Sequence, residues 1–195
     1  ILIRQQRPIE ESRLLPEEIP LPSAPPGHIL MRVSACGVCH TDLHIVEGDL
    51  PLAKSPVIPG HQIVGTVVTR GGSTGRSAPD TSSDSQHSQV SAGRPRPEPA
   101  FSVGDRIGVP WLSTTCGKCH YCLTDRENLC DSIRFTGYHT DGGFAEYAVV
   151  PASSAYDLPG NFSDTAAAPL LCAGIVGYRA LRLSGIGSGM RLGMV

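Results

Sequence analysis

Of 195 residues, 16 are Lys or Arg and 18 are Asp or Glu, for a formal net charge of −2. That balance supplies no electrostatic pull toward nucleic acid or an anionic membrane. No apolar run approaches the ~18 residues of a membrane-spanning helix, and no basic-then-apolar leader opens the chain. The expectation is a soluble, cytoplasmic protein with neither nucleic acid nor membrane as partner. Hydrophobic residues at 40% allow a buried core, while 22 glycines, 17 prolines and 5% aromatics favour a loop-rich β fold over a helix bundle.

In chain order, residues 1–27 are rich in proline (Pro8, Pro16, Pro20, Pro22, Pro25, Pro26) and hold no long helix. His28–Val33 reads as a strand, bounded by Gly27 and the Ser34-Ala-Cys-Gly37 turn. Ile63–Thr69 reads as a second, whose central Gly65 marks a bulge or a close backbone approach. Residues 71–100 are dominated by Ser, Gly and Pro, and the expectation is a disordered loop in which His87 is without consequence. The pattern returns with a turn over Phe101–Arg106 into a strand at Ile107–Val109, and another strand is expected over Phe144–Val150. Residues 163–183 are the best helical region, with Ser163 or Asp164 as N-cap and Pro169 and Gly174 splitting it into two helices. A Gly-rich turn, Ser184 to Gly189, precedes a strand-like ending at Arg191–Val195, and this reads as a fragment of a longer protein.

Seven cysteines cannot all pair internally, and without an export signal they are expected to stay reduced. Cys116, Cys119, Cys122 and Cys130 are spaced C-x2-C-x2-C-x7-C. Four thiolates so placed can enclose one Zn²⁺ with no open position, which makes a structural site and clips a loop that has little core of its own. Disulfides, incidental cysteines and an iron–sulfur centre are the competing readings. His120 lies inside the cluster and reads as a surface residue.

A second constellation is dispersed. Cys36-Gly-Val-Cys39-His-Thr-Asp-Leu-His44 holds a C-x2-C among polar groups, Pro59-Gly-His61-Gln62 sets a histidine in a turn, and Leu170-Leu-Cys172-Ala-Gly174 sets a cysteine between helical runs. Taken singly, His61 and Cys172 are unremarkable.

In this order the four motifs resemble those of the zinc-dependent alcohol dehydrogenases of the medium-chain dehydrogenase/reductase superfamily, most closely the bacterial propanol-preferring type. The resemblance covers nearly the whole chain outside 71–100. It implies a β-rich α+β fold, with a GroES-like catalytic domain over 1–162 that carries the 71–100 insertion and a structural zinc lobe at 116–130. Helices and a first strand over 163–195 would lead into a nicotinamide-binding Rossmann domain absent from these residues. It further implies that Cys39, His61 and Cys172 hold a catalytic zinc with a fourth position free. Cys116, Cys119, Cys122 and Cys130 would hold the second zinc of the chain. Thr41 would take the alcohol proton, His44 would pass it to solvent, Asp42 would orient His61, and His40 would lie near the pyrophosphate of NAD or NADP. For Asp42 a turn-capping role is an equal alternative; for His44 the alternative is a satisfied surface histidine. Cys36 is left over as a packed thiol.

The implied activity is oxidation of a primary alcohol to an aldehyde, and the reverse, by a longer and homo-oligomeric enzyme, with this fragment inactive alone. Two departures stand out. Gln62 replaces the glutamate more common after the ligand histidine, and the 71–100 insertion is longer than usual. Gly185, Gly187 and Gly189 do not spell a dinucleotide fingerprint. The readings from other classes are a non-catalytic, zinc-stabilised GroES-like binding module, which would not need Thr41 and His44, and a nucleic-acid zinc ribbon, which the charge disfavours.

Overall fold

The structure, a computed structural model, describes residues 1–12, 14–72 and 101–193. The loop expected over 71–100, with His87, lies outside the described residues from position 73 onward.

Alternating apolar residues build the main sheet. Its strands are β1 (His28–Gly37), β2 (Gln62–Arg70), β3 (Arg106–Val109), then β6 (Tyr147–Pro151) and β7 (Tyr156–Asp157), in the spatial order β6-β1-β2-β3-β7. Every pairing is antiparallel. A second, two-stranded sheet pairs β4 (Leu112–Thr114) with β5 (Arg134–Phe135). Helices are short: α1 (His40–Glu47), α2 (His120–Leu123), α3 (Asp164–Ala167) and α4 (Ala173–Leu183).

Successive strand side chains face opposite ways, so residues two apart share one face. Ile29 and Met31, Ile63 and Val67, Ile107 and Val109, and Ala148 and Val150 form the principal core. The register sets them across from one another: Ile29 faces Val150, Met31 faces Ala148 and Ile63 faces Val109. Truncating any one of the larger members to Ala should cost about 2–5 kcal/mol. On the other face of β2, Val64 packs under Ala167, Ala168 and Leu171. The start of β2 is therefore buried from both sides, which anchors the residue that precedes it, His61.

Both expectations for Gly65 hold. The β1–β2 register shifts between Val33 and Ala35, beside the Val33–Gly65 pair. A Cβ at Gly65 would fall on the Arg32 carbonyl oxygen, so the strands meet at van der Waals distance only because no side chain is there.

The expected strands are found with shifted ends: β1 runs on through the anticipated turn to Gly37, and the strand expected from Phe144 starts at Tyr147. In the helical region Ser163 is the N-cap, its hydroxyl accepting from Ala166 N at 3.3 Å. The break falls at Cys172 rather than at Gly174, which lies inside α4. A 3-10 turn at Ala168–Leu171 ends at Cys172, whose backbone (φ −131°, ψ −79°) is not helical. Pro169 fits the start of that turn because no N–H is required of it there. The chain bends by 50° between the two helical segments, and among the described residues no single helix is long and apolar enough to cross a membrane. Of the strand-like ending, Arg191–Gly193 are irregular, and residues 194–195 lie outside the described residues.

Candidate metal centres

Three element boundaries converge. Cys39 is the N-cap of α1, with extended backbone (φ −136°, ψ 179°). His61 directly precedes β2, after a turn in which Gly60 takes φ +95°. Cys172 occupies the break before α4. One donor atom from each of Cys39, His61 and Cys172 lies within 4.8 Å of the others. Cys39 Sγ and His61 Nε2 are 3.3 Å apart, near the ~3.6 Å expected for a thiolate and an imidazole on one tetrahedral ion.

His61 is 1% exposed and Asp42 3%, and the carboxylate stands behind the ring. Asp42 Oδ1 lies 3.4 Å from His61 Nδ1, too poorly aligned for a hydrogen bond, so that buried nitrogen has no bonded partner among the described residues. Asp42 Oδ1 accepts from Gly60 N at 3.1 Å, and Oδ2 accepts from Cys39 N at 2.9 Å. Of the two roles that compete for Asp42 in the sequence, the capping one is seen in its bond from Cys39 N, while its other oxygen holds the turn at Gly60 just before His61. The Cys172 thiol is pushed up to about 11 by burial, with Cys39 and Asp42 adding negative charge nearby. Three acidic groups around one point suit a divalent cation, whose own charge dominates such a site.

The four cysteines at 116–130 also converge within 4.8 Å. Cys119 and Cys122 sulfurs stand 3.5 Å apart, and Cys116 and Cys122 sulfurs 3.9 Å. Four sulfurs at ~2.3 Å from one tetrahedral ion stand ~3.8 Å apart, whereas a disulfide needs ~2.05 Å. All seven cysteines are unpaired. Within 116–130 only Cys130 is buried, so the lobe has almost no core and an ion there would supply its folding energy. Backbone N–H groups of Lys118 and Cys119 hold the Cys116 thiol down at about 6, ready to ligate as thiolate. Both donor sets fit zinc. His120 is exposed and pairs with Arg126 at 2.7 Å. Cys36 is a half-buried thiol packed on the core and pushed up to about 12 by burial.

The remaining anticipated residues share one element. His40, Thr41 and His44 lie on α1, which sequence analysis did not anticipate as a helix. His40 is exposed while Thr41 and His44 are half-buried. The His40 and His44 rings stack at 4.5 Å, 19° from parallel. Gln62 is buried against Gly37, whose missing Cβ leaves room for its amide.

Trp111 was missed. Its ring meets His61 edge-on at 4.6 Å and stacks on Phe135 at 4.5 Å, forming an aromatic wall beside the donors. The available signal was a lone Trp following the proline that ends the run after the Ile107–Val109 strand.

Comparison with known proteins agrees with this geometry. Residues 25–160 match the model of the alcohol dehydrogenase GroES-like domain. The chain is 42% identical over 192 residues, 98% of its length, to a Mycobacterium tuberculosis protein named "Probable alcohol dehydrogenase AdhA". It is 41% identical over 170 residues, 87% of its length, to an alcohol dehydrogenase of Geobacillus stearothermophilus. It covers 50% and 43% of these two proteins, so the chain spans about half the length of the curated relatives it matches. Among solved structures, a cobalt- and zinc-bound thermostable alcohol dehydrogenase from Pyrobaculum aerophilum superposes with a TM-score of 0.74 at 28% identity. That match covers 96% of this chain and 49% of the other. Sheet, donor geometry and sequence similarity converge, and the chain belongs to the alcohol dehydrogenase GroES-like domain family.

Proposed function

We propose that the chain is the zinc-holding portion of an enzyme that oxidises a primary alcohol to an aldehyde, and reduces it back, with hydride passing to or from NAD or NADP. The observation that carries this is the pair of donor sets, Cys39/His61/Cys172 with three ligands and Cys116/Cys119/Cys122/Cys130 with four. Three ligands leave a position for substrate, and four leave none. Bound at the first set, zinc would act as a Lewis acid that makes a bound hydroxyl more acidic. Asp42 holds His61 and the Cys39 backbone in place for it. The Thr41 hydroxyl accepts the alcohol's proton, and the half-exposed His44 passes it to water. His40, at the exposed start of α1, would lie near the cofactor pyrophosphate. Nothing in the 195 residues spells a dinucleotide fingerprint, so turnover is assigned to a longer protein and the chain alone is inactive.

The test is metal content. Protein prepared without chelator should carry about two zinc ions per chain, falling to about one in Cys39→Ser. A reproducible value near one that Cys39→Ser leaves unchanged would remove the three-ligand site.

A further inference from the structure

We propose that Asp49 is a positioning residue for His44: its carboxylate takes the Nδ1–H of the imidazole and fixes the tautomer in which Nε2 carries the accepting lone pair. The role of His44 rests on the alcohol-oxidation reading above; its pairing with Asp49 does not.

The backbone brings the two together. Helix α1 ends at Glu47, and Gly48 adopts φ +105°, a left-handed cap that suits glycine. Gly48 N and Leu50 N both donate to the His44 carbonyl, at 3.0 and 3.1 Å. That doubled bond turns the chain back over the last turn and sets Asp49, the residue between the two donors, beside the His44 ring. Asp49 Oδ2 lies 2.7 Å from His44 Nδ1. The His40 ring covers one face of the imidazole, so His44 is held along an edge and a face while its side chain stays 38% exposed.

The acidic groups on α1 itself are committed elsewhere. Asp42 accepts from Cys39 N and Gly60 N, and Glu47 accepts from Ile9 N. Among the described residues, Asp49 is the one acidic group in contact with the His44 ring.

A neutral imidazole presents one donor and one acceptor nitrogen, and the partner of one decides the role of the other. With Nδ1–H given to Asp49, Nε2 receives the incoming proton and the ring becomes imidazolium. Nε2 then releases that proton to water, and Nδ1–H stays with Asp49 throughout. Without Asp49 the ring is free to take the other tautomer, which offers an N–H where the path needs a lone pair.

The experiment is long-range ¹H–¹⁵N correlation of the histidine rings in the labelled, zinc-loaded 195-residue chain. Neutral His44 should be in the Nδ1–H form in the wild type and in Asp49→Asn, whose amide oxygen still accepts. In Asp49→Ala it should move to the Nε2–H form. A second arm measures turnover in a fusion supplying the part of the Geobacillus relative that this chain does not match. Asp49→Ala should lower kcat about tenfold with KM little changed, and Asp49→Asn should retain most of it.

An Nε2–H tautomer in the wild type, or Asp49→Ala leaving the tautomer unchanged, overturns the proposal. So does normal turnover in Asp49→Ala where His44→Ala is defective. If His44→Ala itself costs nothing, the relay reading has failed and takes the proposal with it, a result distinguishable from failure at Asp49 alone.

Discussion

Replacing Asp42 with Ala should weaken the fold and empty one metal site together. The carboxylate accepts from Cys39 N at 2.9 Å and Gly60 N at 3.1 Å, in a setting where Asp42 is 3% exposed. Each buried N–H left without an acceptor costs about 1–3 kcal/mol. Cys39 is only half-buried, so water can reach its N–H in part, and about 2–4 kcal/mol is expected for the pair. The same substitution releases the groups that aim His61 and Cys39 at a common point, and loss of such support lowers metal affinity about 10–100-fold. Asp42→Asn separates the two effects. Its amide oxygen can serve one of the N–H groups, while its NH₂ confronts the other, so about half the stability loss should remain. Urea unfolding of the zinc-loaded proteins measures the first effect, and competition with a chromophoric chelator measures the second. A loss under about 1 kcal/mol in Asp42→Ala, with both zincs retained against the competitor, would show that the carboxylate does not join these segments.

The two donor sets should fail differently. Cys119→Ser should open 116–130 to limited proteolysis, since that segment buries little besides Cys130; His61→Ala should remove a zinc while the lobe stays resistant, and equal cleavage in both variants would contradict separate roles. The acid limb of stability should contain Asp164, whose carboxyl is held below the usual range by the Ser34 hydroxyl and Arg106. A lowered folded-state value stabilises fully above the unfolded value of about 3.9 and is lost as pH falls through the folded one. Asp164→Asn should therefore flatten the stability profile below about pH 4, by a small amount because the pair is partly exposed and screened. An unchanged acid limb would remove Asp164 from the account.

Strand cores were readable because alternation survives folding unchanged: Ile29/Met31 and Ile107/Val109 are two apart in the sequence, Ile63/Val67 four apart, and each pair lies on one face in the sheet. The four-cysteine lobe was readable because its donors are local, 15 residues end to end with a spacing that suits one small ion. The three-ligand site was not legible by spacing. Its donors stand at 39, 61 and 172, and only resemblance joined them. Helix α1 was missed because its residues, His40 to Glu47, include β-branched and polar types of modest propensity, and its N-cap is a cysteine. Gly174 was preferred to Cys172 as the break on local propensity, whereas the interruption follows from the 3-10 turn at Ala168–Leu171. Trp111 carried no periodic signal, because its place beside His61 depends on how β5 pairs with β4, the strand that Trp111 directly precedes.

The three donors share a property that explains where the centre lies. Each sits at an end of regular structure: the N-cap of α1, the residue before β2, and the break before α4. Inside a strand or helix the backbone N–H groups are committed to the ladder, and the inward side chains are committed to the core. At an end, N–H groups are left over, and Asp42 gathers two of them, from Cys39 and Gly60. One buried carboxylate thereby ties the start of α1 to the turn before β2, and the double-sided packing of β2 fixes that turn in space. Cys172 arrives by a different route, on a segment whose Ala167, Ala168 and Leu171 pack against Val64 of the same strand. The three-donor cluster is thus referenced to β2 twice, once through hydrogen bonds to the turn before it and once through apolar contact. Mutations at Val64 should therefore displace Cys172 first, through lost contact with Ala167, Ala168 and Leu171, and loosen His61 only through its anchor on β2.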